Sequence, residues 1–141
     1  IKSFKETSKK EFIINFDQYS NSFNITKSIE IVYGLRNFIG NANKFSKSKV
    51  FINIKSDADI TEILIEDDGE GYPNDVLRKI GEPYIKSYKS SIKSKSGLGL
   101  GIFIGKTLLE KNYASILCRN SETRGGAEVN IKWKNEDLLK I

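Results

Sequence analysis

The stretch Ser28–Phe45, SIEIVYGLRNFIGNANKF, decides how the chain is read. Ile31, Leu35, Phe38, Ala42 and Phe45 recur in it at helical spacing, which predicts an amphipathic helix over about 28–45. Ser28, with Ile29 and Glu30 behind it, supplies an N-cap and an acid in the first turn. Asn37, Asn41 and Lys44 fall at i, i+4 and i+7 and so share one face, roughly 100 degrees from the apolar stripe. A polar row bordering a core suits a partly buried ligand site. Amide oxygens ligate a hard cation such as Mg²⁺, and an ammonium offers charge to a phosphate. The same row also reads as an ordinary solvated helix face, although asparagine is a poor helix former.

Outward from that helix, EFIINF (11–16) is rich in β-formers, and the polar DQYSNSFNIT after it reads as a loop. VFINIK (50–55) and ITEILIED (60–67) are strand-like around the turn-prone SDAD, which predicts a hairpin. The turn DDGEGYP follows, and NDVLRKI (74–80) predicts one short helix. Residues 81–96, GEPYIKSYKSSIKSKS, are rich in Ser and Lys with few core candidates, and they read as a mobile loop. GLGLGIFIGKTLLEK predicts a glycine turn running into a helix through about Asn112. YASILCRN and GAEVNIKWK then form two strands around SETRGG. The order β, α, ββ, α, loop, α, ββ argues an α+β sandwich with its helices on one face of the sheet.

Two further segments carry chemistry. In Asp67-Asp68-Gly69-Glu70-Gly71, at a strand end, the glycines permit positive φ and close backbone approach to a planar ligand. A carboxylate there is able to accept a hydrogen bond from an exocyclic amine such as that of adenine. An Asp- and Gly-rich turn without function has the same composition. The spacing and terminal Glu of an EF-hand are missing. Gly97-Leu98-Gly99-Leu100-Gly101 opens a helix, where exposed backbone N–H groups favour an anion. No GK[ST] closes it, so it is not a Walker A motif, and its strand and glycine spacing are not those of a Rossmann turn. A glycine-rich helix cap is the plainer alternative.

Composition narrows the classes. One compact domain fits 141 residues. The chain contains no histidine and one cysteine, Cys118, so no Ser-His or Cys-His nucleophilic pair and no His/Cys metal spacing is possible. Cys118, in an apolar strand, reads as core rather than redox sensor, Trp133 as packing, and Glu110 and Lys111 as solvated helix charges. No apolar run spans a bilayer, and a cytoplasmic location is the simple expectation. The start without Met, in mid-pattern, reads as an excised fragment. A net charge of +5 suits an anionic partner, but the lysines are scattered through a sequence rich in Lys, Ile and Asn.

Taken together, N-x-x-x-N-A-x-K on a helix, D-x-G-x-G after a strand and G-L-G-L-G before a helix resemble the N, G1 and G2 boxes of the histidine-kinase branch of the GHKL ATPases. The resemblance covers roughly Glu11 to Trp133. GLRNFIGNANKFS, IGEPYIKS and GLGLGIFIGKTLLE look most like the RegB/PrrB-type sensor kinases. It implies a Bergerat-type two-layer α/β sandwich, with a mixed, mostly antiparallel sheet, about three helices on one face and a mobile ATP lid. It implies ATP and Mg²⁺ as cofactors, with Asn41 as metal ligand and Asn37 and Lys44 near the phosphates. Asp67 would read the adenine amine, with Gly69 and Gly71 shaping the turn. Phe45 would lie against the base, and Tyr72 and Ile80 would wall the adenine pocket. Gly97, Leu98, Gly99, Leu100 and Gly101 would cradle the phosphates; Tyr84 sits in the F-box position and Lys86 in that of a basic lid residue.

Two departures from the family pattern stand out. Tyr72 replaces the more usual Ile, so the wall is bulkier or the hydroxyl faces solvent. Ala127 stands where Thr is common, so a hydroxyl contact is expected to be missing. Relatives that hydrolyse ATP carry Glu where this chain has Asn37, and an amide takes no proton at neutral pH, so water activation is disfavoured. The resemblance then implies the phosphate-donor half of a two-component sensor kinase. The chain itself supplies no acceptor histidine. The partners implied are ATP or ADP, a histidine-bearing dimerisation domain of the same protein and a response regulator. No nucleic-acid partner is implied, and any membrane contact would come through other parts of the protein. A degenerate nucleotide-binding regulatory module and a basic nucleic-acid-binding domain are the other readings.

Overall fold

The structure is a computed structural model that describes residues 10–18, 28–78 and 98–141. Ile80, Pro83, Tyr84, Lys86 and Gly97 lie outside the described residues, as does the loop 81–96 expected to be mobile. The elements are β1 (Glu11–Gln18), α1 (Ile29–Phe45), β2 (Lys49–Ser56), β3 (Ile60–Asp67), α2 (Asn74–Arg78), α3 (Leu98–Lys111), β4 (Ser115–Asn120), β5 (Ala127–Lys134) and α4 (Asn135–Leu138).

The five strands form one sheet in the order β1-β2-β3-β5-β4. β1 runs parallel to β2, and every other neighbour is antiparallel, which gives the mixed, mostly antiparallel sheet expected. Alternation decides which face the helices cover. Val50 and Ile52 of β2, Ile65 of β3 and Val129, Ile131 and Trp133 of β5 are buried on it. Against them pack Phe38, Ile39 and Ala42 of α1, Val76 of α2 and Ile102 and Leu109 of α3. Each such apolar side chain is worth about 2 kcal/mol on burial.

α1 begins where the sequence places it. Ser28 is extended and its hydroxyl accepts from the Ile31 N–H at 3.3 Å. The helix stops as Ser46 returns to extended backbone, its N–H still bonded to Ala42 O. α1 and α3 cross at two glycines. A Cβ on Gly105 would sit 2.8 Å from the Phe38 ring, and one on Gly34 would sit 2.7 Å from Leu109 Cγ, so the contact requires bare backbone. The Lys111–Glu30 ion pair, 2.9 Å, joins the two helices at the surface, with the Lys111 side chain still exposed as expected.

Two local features differ from expectation. The glycine segment is helical from Leu98 onward rather than a turn, since consecutive residues of α3 already hold helical backbone there. The four-residue α4 was not foreseen. It follows β5 through Asn135, whose side chain accepts from Thr61 Oγ1 (2.6 Å) and donates to Asp57 O (2.7 Å), pinning it to the β2–β3 turn. Among the described residues no helix is long and apolar enough to cross a membrane.

Candidate functional site

A cleft opens between α1 and the ends of β3 and β5. From α1 it is lined by Phe38, Asn41, Ala42 and Phe45, and from β3 by Ile65 and Asp67. Gly71 and Tyr72 form one wall, and Ala127 and Val129 the floor. The cleft lining is thus mostly apolar, with one amide and one carboxylate in it, which is the usual make-up of a small-molecule site.

Asp67 is 4% exposed. Its Oδ1 accepts from the backbone N–H of Gly69 at 2.8 Å and of Ala127 at 3.2 Å, so two main-chain donors fix the plane of the carboxylate. Ala127 therefore reaches the site through its backbone, although it has no hydroxyl. Gly126 was not singled out from the sequence. A Cβ there would lie 2.1 Å from Asp67 Oδ1 and 2.3 Å from Asp67 O, so only glycine lets β5 come this close. Gly69 is required for a similar reason, since a Cβ would lie 2.2 Å from Phe45 O. Of Gly69, Gly71 and Gly126, Gly71 alone has positive φ, at 82°.

Asp68 turns away from the cleft and clamps the α1–β2 connection. Its Oδ1 accepts from the N–H groups of Lys47 (2.8 Å), Ser48 (3.1 Å) and Lys49 (3.1 Å), and its Oδ2 from the Ser48 hydroxyl (2.9 Å). Burial alone would push the carboxyl up, but these bonds, led by those from Ser48 and Lys49, hold it at about 2.

Beside Asn41, α1 meets the first turn of α3. A Cβ built on Gly101 would lie 3.3 Å from Asn41 Nδ2, 3.4 Å from Asn41 Oδ1 and 3.7 Å from Asn37 Oδ1, so both amides face that turn. Asn37 Nδ2 donates to Tyr33 O at 2.8 Å, which leaves its Oδ1 on the α3 side. Asn41 Nδ2 is buried with no hydrogen-bond partner. An unpaired buried amide costs about 1–3 kcal/mol, a cost relieved by an anionic or aqueous ligand. Among the described residues no three His, Cys, Asp or Glu side chains gather as a metal cage. The amide oxygen of Asn41 suits a hard cation that takes its remaining ligands from phosphate and water, which is how Mg²⁺ is usually held. The residues present fit Mg²⁺ in that way.

The structure brings Asn41, Phe45, Asp67, Gly71 and Tyr72 to one cleft, with Gly69 packed behind it against Phe45; Asn37 and Gly101 lie beside Asn41 and outside the cleft lining. Leu98, Gly99 and Leu100 are in the first turn of α3. Lys44 is exposed, does not line the cleft, and lies 5.3 Å from the Phe45 ring centroid. Tyr72 does not face solvent. It is 7% exposed, and its hydroxyl is paired with the Cys118 thiol. Burial pushes the Cys118 thiol up to about 12, in keeping with a core residue.

The sequence model described as "Histidine kinase-, DNA gyrase B-, and HSP90-like ATPase" matches residues 26–137. The chain belongs to this family. The sensor histidine kinase RegB of Cereibacter sphaeroides is 35% identical over 133 residues, covering 83% of this chain and 29% of RegB. A putative NtrY-like sensor histidine kinase of Rickettsia bellii is 27% identical, covering 92% of this chain and 20% of that protein. The chain thus spans under a third of the length of either relative. Among solved structures, the mycobacterial sensor histidine kinase MprB superposes with a TM-score of 0.70 at 21% identity, over 94% of this chain and 87% of that one. The family model begins before α1 and ends in α4, so it takes in the whole cleft. The sandwich and the RegB-type likeness expected from the motifs both hold.

Proposed function

We propose that this chain is one ATP-binding catalytic domain of a two-component sensor histidine kinase, and that it presents Mg-ATP for transfer of the γ-phosphoryl group to a histidine on a dimerisation domain outside it. The observation that carries the reading is an apolar cleft lined by both Asn41 and the Asp67 carboxylate, with the first turn of α3 set against the Asn37 and Asn41 amides beside it. In it Asp67, fixed by Gly69 and Ala127, accepts a hydrogen bond from the adenine amine. Phe45 and Tyr72 bound the base. Asn41 holds Mg²⁺ beside Asn37 and the helix N-terminus at Leu98–Gly101, which receives the phosphates. When bound, the ion neutralises phosphate charge. Lys44, exposed on the same helix, would add positive charge, and the family pattern assigns nucleotide contacts also to Ile80, Tyr84, Lys86 and Gly97.

Catalysis is then positioning and charge neutralisation, which is the general demand of phosphoryl transfer. Asn37 orients but takes no proton, so water is not activated. A response regulator receives the phosphoryl group downstream, and the domain works on the cytoplasmic side of a sensor. The test is transfer of label from γ-labelled ATP to a separately supplied histidine-bearing helical domain. Label is expected on the added domain, none on this chain, and none anywhere with Asn41→Ala. Nucleotide binding without any transfer would favour a regulatory module instead.

A further inference from the structure

Tyr72 is held at both ends by one strand. Asn120 of β4 accepts from the Tyr72 N–H through Oδ1 (2.6 Å) and donates to the Tyr72 carbonyl through Nδ2 (3.0 Å). This pairing imitates a β-ladder bridge with a side-chain amide, and it fixes which amide atom is which. The bond is close because Gly71 precedes Tyr72 at positive φ; a Cβ on Gly71 would lie 2.7 Å from Asn120 Oδ1. Two residues back, on the same face of the strand, the Cys118 thiol pairs with the Tyr72 hydroxyl. Tyr72, between these two grips, lines the cleft.

Resting on the nucleotide reading above, we propose that β4 sets the base selectivity of the cleft by clamping Tyr72: Asn120 positions its backbone, Cys118 its hydroxyl, and the ring becomes a fixed wall that admits adenine and rejects bases enlarged on the edge it faces. An apolar side chain in the same place, free at its tip, would turn aside for a larger base. Tyr72 cannot turn without leaving a buried hydroxyl unpaired, which costs free energy in the fold. Asn120 is a positioning residue, since it lies behind the wall and not in the cleft lining.

The experiment compares affinities of the whole chain for Mg-ATP, N6-benzyl-ATP and 2-methylthio-ATP. Wild type is expected to bind ATP at least tenfold more tightly than either enlarged analogue. Tyr72→Ala and Asn120→Ala are expected to cut that preference about tenfold for at least one analogue, within the range that a few methylene groups command in an apolar pocket. Asn120→Asp, which keeps the acceptor and loses the donor, should fall between. Should Asn120→Ala unfold, Tyr72→Phe and Cys118→Ala, which free only the tip of the ring, are expected to relax the preference about threefold. A purely structural role for Asn120 would weaken all three nucleotides alike. Unchanged preference for both analogues in every folded variant overturns the clamp while leaving the nucleotide site standing. A wild-type chain that binds none of the three removes both.

Discussion

Asp68 gives the sharpest prediction about what holds the site together. Replacing it with Ala removes the acceptor of three backbone N–H groups and one hydroxyl, and frees the connection between α1 and β2. The carboxyl sits at about 2 in the fold against 3.8 ordinarily. That preference for the ionised form corresponds to about 2.4 kcal/mol, and the group's partial exposure reduces the expected contribution to about 1.5–2 kcal/mol. Because the folded value is the lower one, the contribution is complete above pH 3.8 and is lost as pH falls toward 2. Urea denaturation of wild type and Asp68→Ala should show a gap of about 2 kcal/mol at pH 7 that narrows by about 1 kcal/mol at pH 3. A gap of the same size at both pH values would refute the clamp, since it would then owe nothing to the carboxylate's charge.

Other substitutions follow from equally close contacts. Gly126→Ala places a methyl 2.1 Å from Asp67 Oδ1, so it should lower ATP affinity at least tenfold, checked by fluorescence titration. Gly105→Ala, which meets the Phe38 ring at 2.8 Å, should destabilise the domain by about 1–3 kcal/mol in urea melts while sparing the carboxylate end of the cleft. The Cys118 thiol, pushed up to about 12, stays protonated at pH 8 and should react with a maleimide only when the domain unfolds.

Much of this was legible in the sequence, and the parts that were not share a cause. The helix over 28–45 and the β2–β3 hairpin announce themselves through periodicity and turn residues, which are local properties. Asn37, Asn41 and Asp67 are recognisable because their neighbours in sequence constrain them: helical spacing for the amides, and glycines at fixed offsets for the acid. Gly126 and Asn120 are decided by partners 59 and 48 positions away in sequence, Asp67 and Tyr72, that only the β3–β5 and β5–β4 pairings bring near. A glycine in SETRGG reads simply as a turn residue until β5 is laid beside β3. The same holds for Tyr72, whose burial depends on Cys118 in a strand that the sequence places only in order and not in space. Lys44 shows the converse. Its helical spacing puts it in line with Asn37 and Asn41, yet it is one turn beyond the point where α1 faces α3, so it lies over Phe45 at the rim.

One cleft is proposed to hold Mg-ATP, with its base at Asp67 and its phosphates at Asn41. Calorimetric titration of Mg-ATP into wild type, Asp67→Ala and Asn41→Ala tests it most directly. Wild type is expected to bind, and each variant to lose at least tenfold, about 1.4 kcal/mol, with the Asn41→Ala loss shrinking when magnesium is withheld. Equal affinity in all three proteins would contradict it.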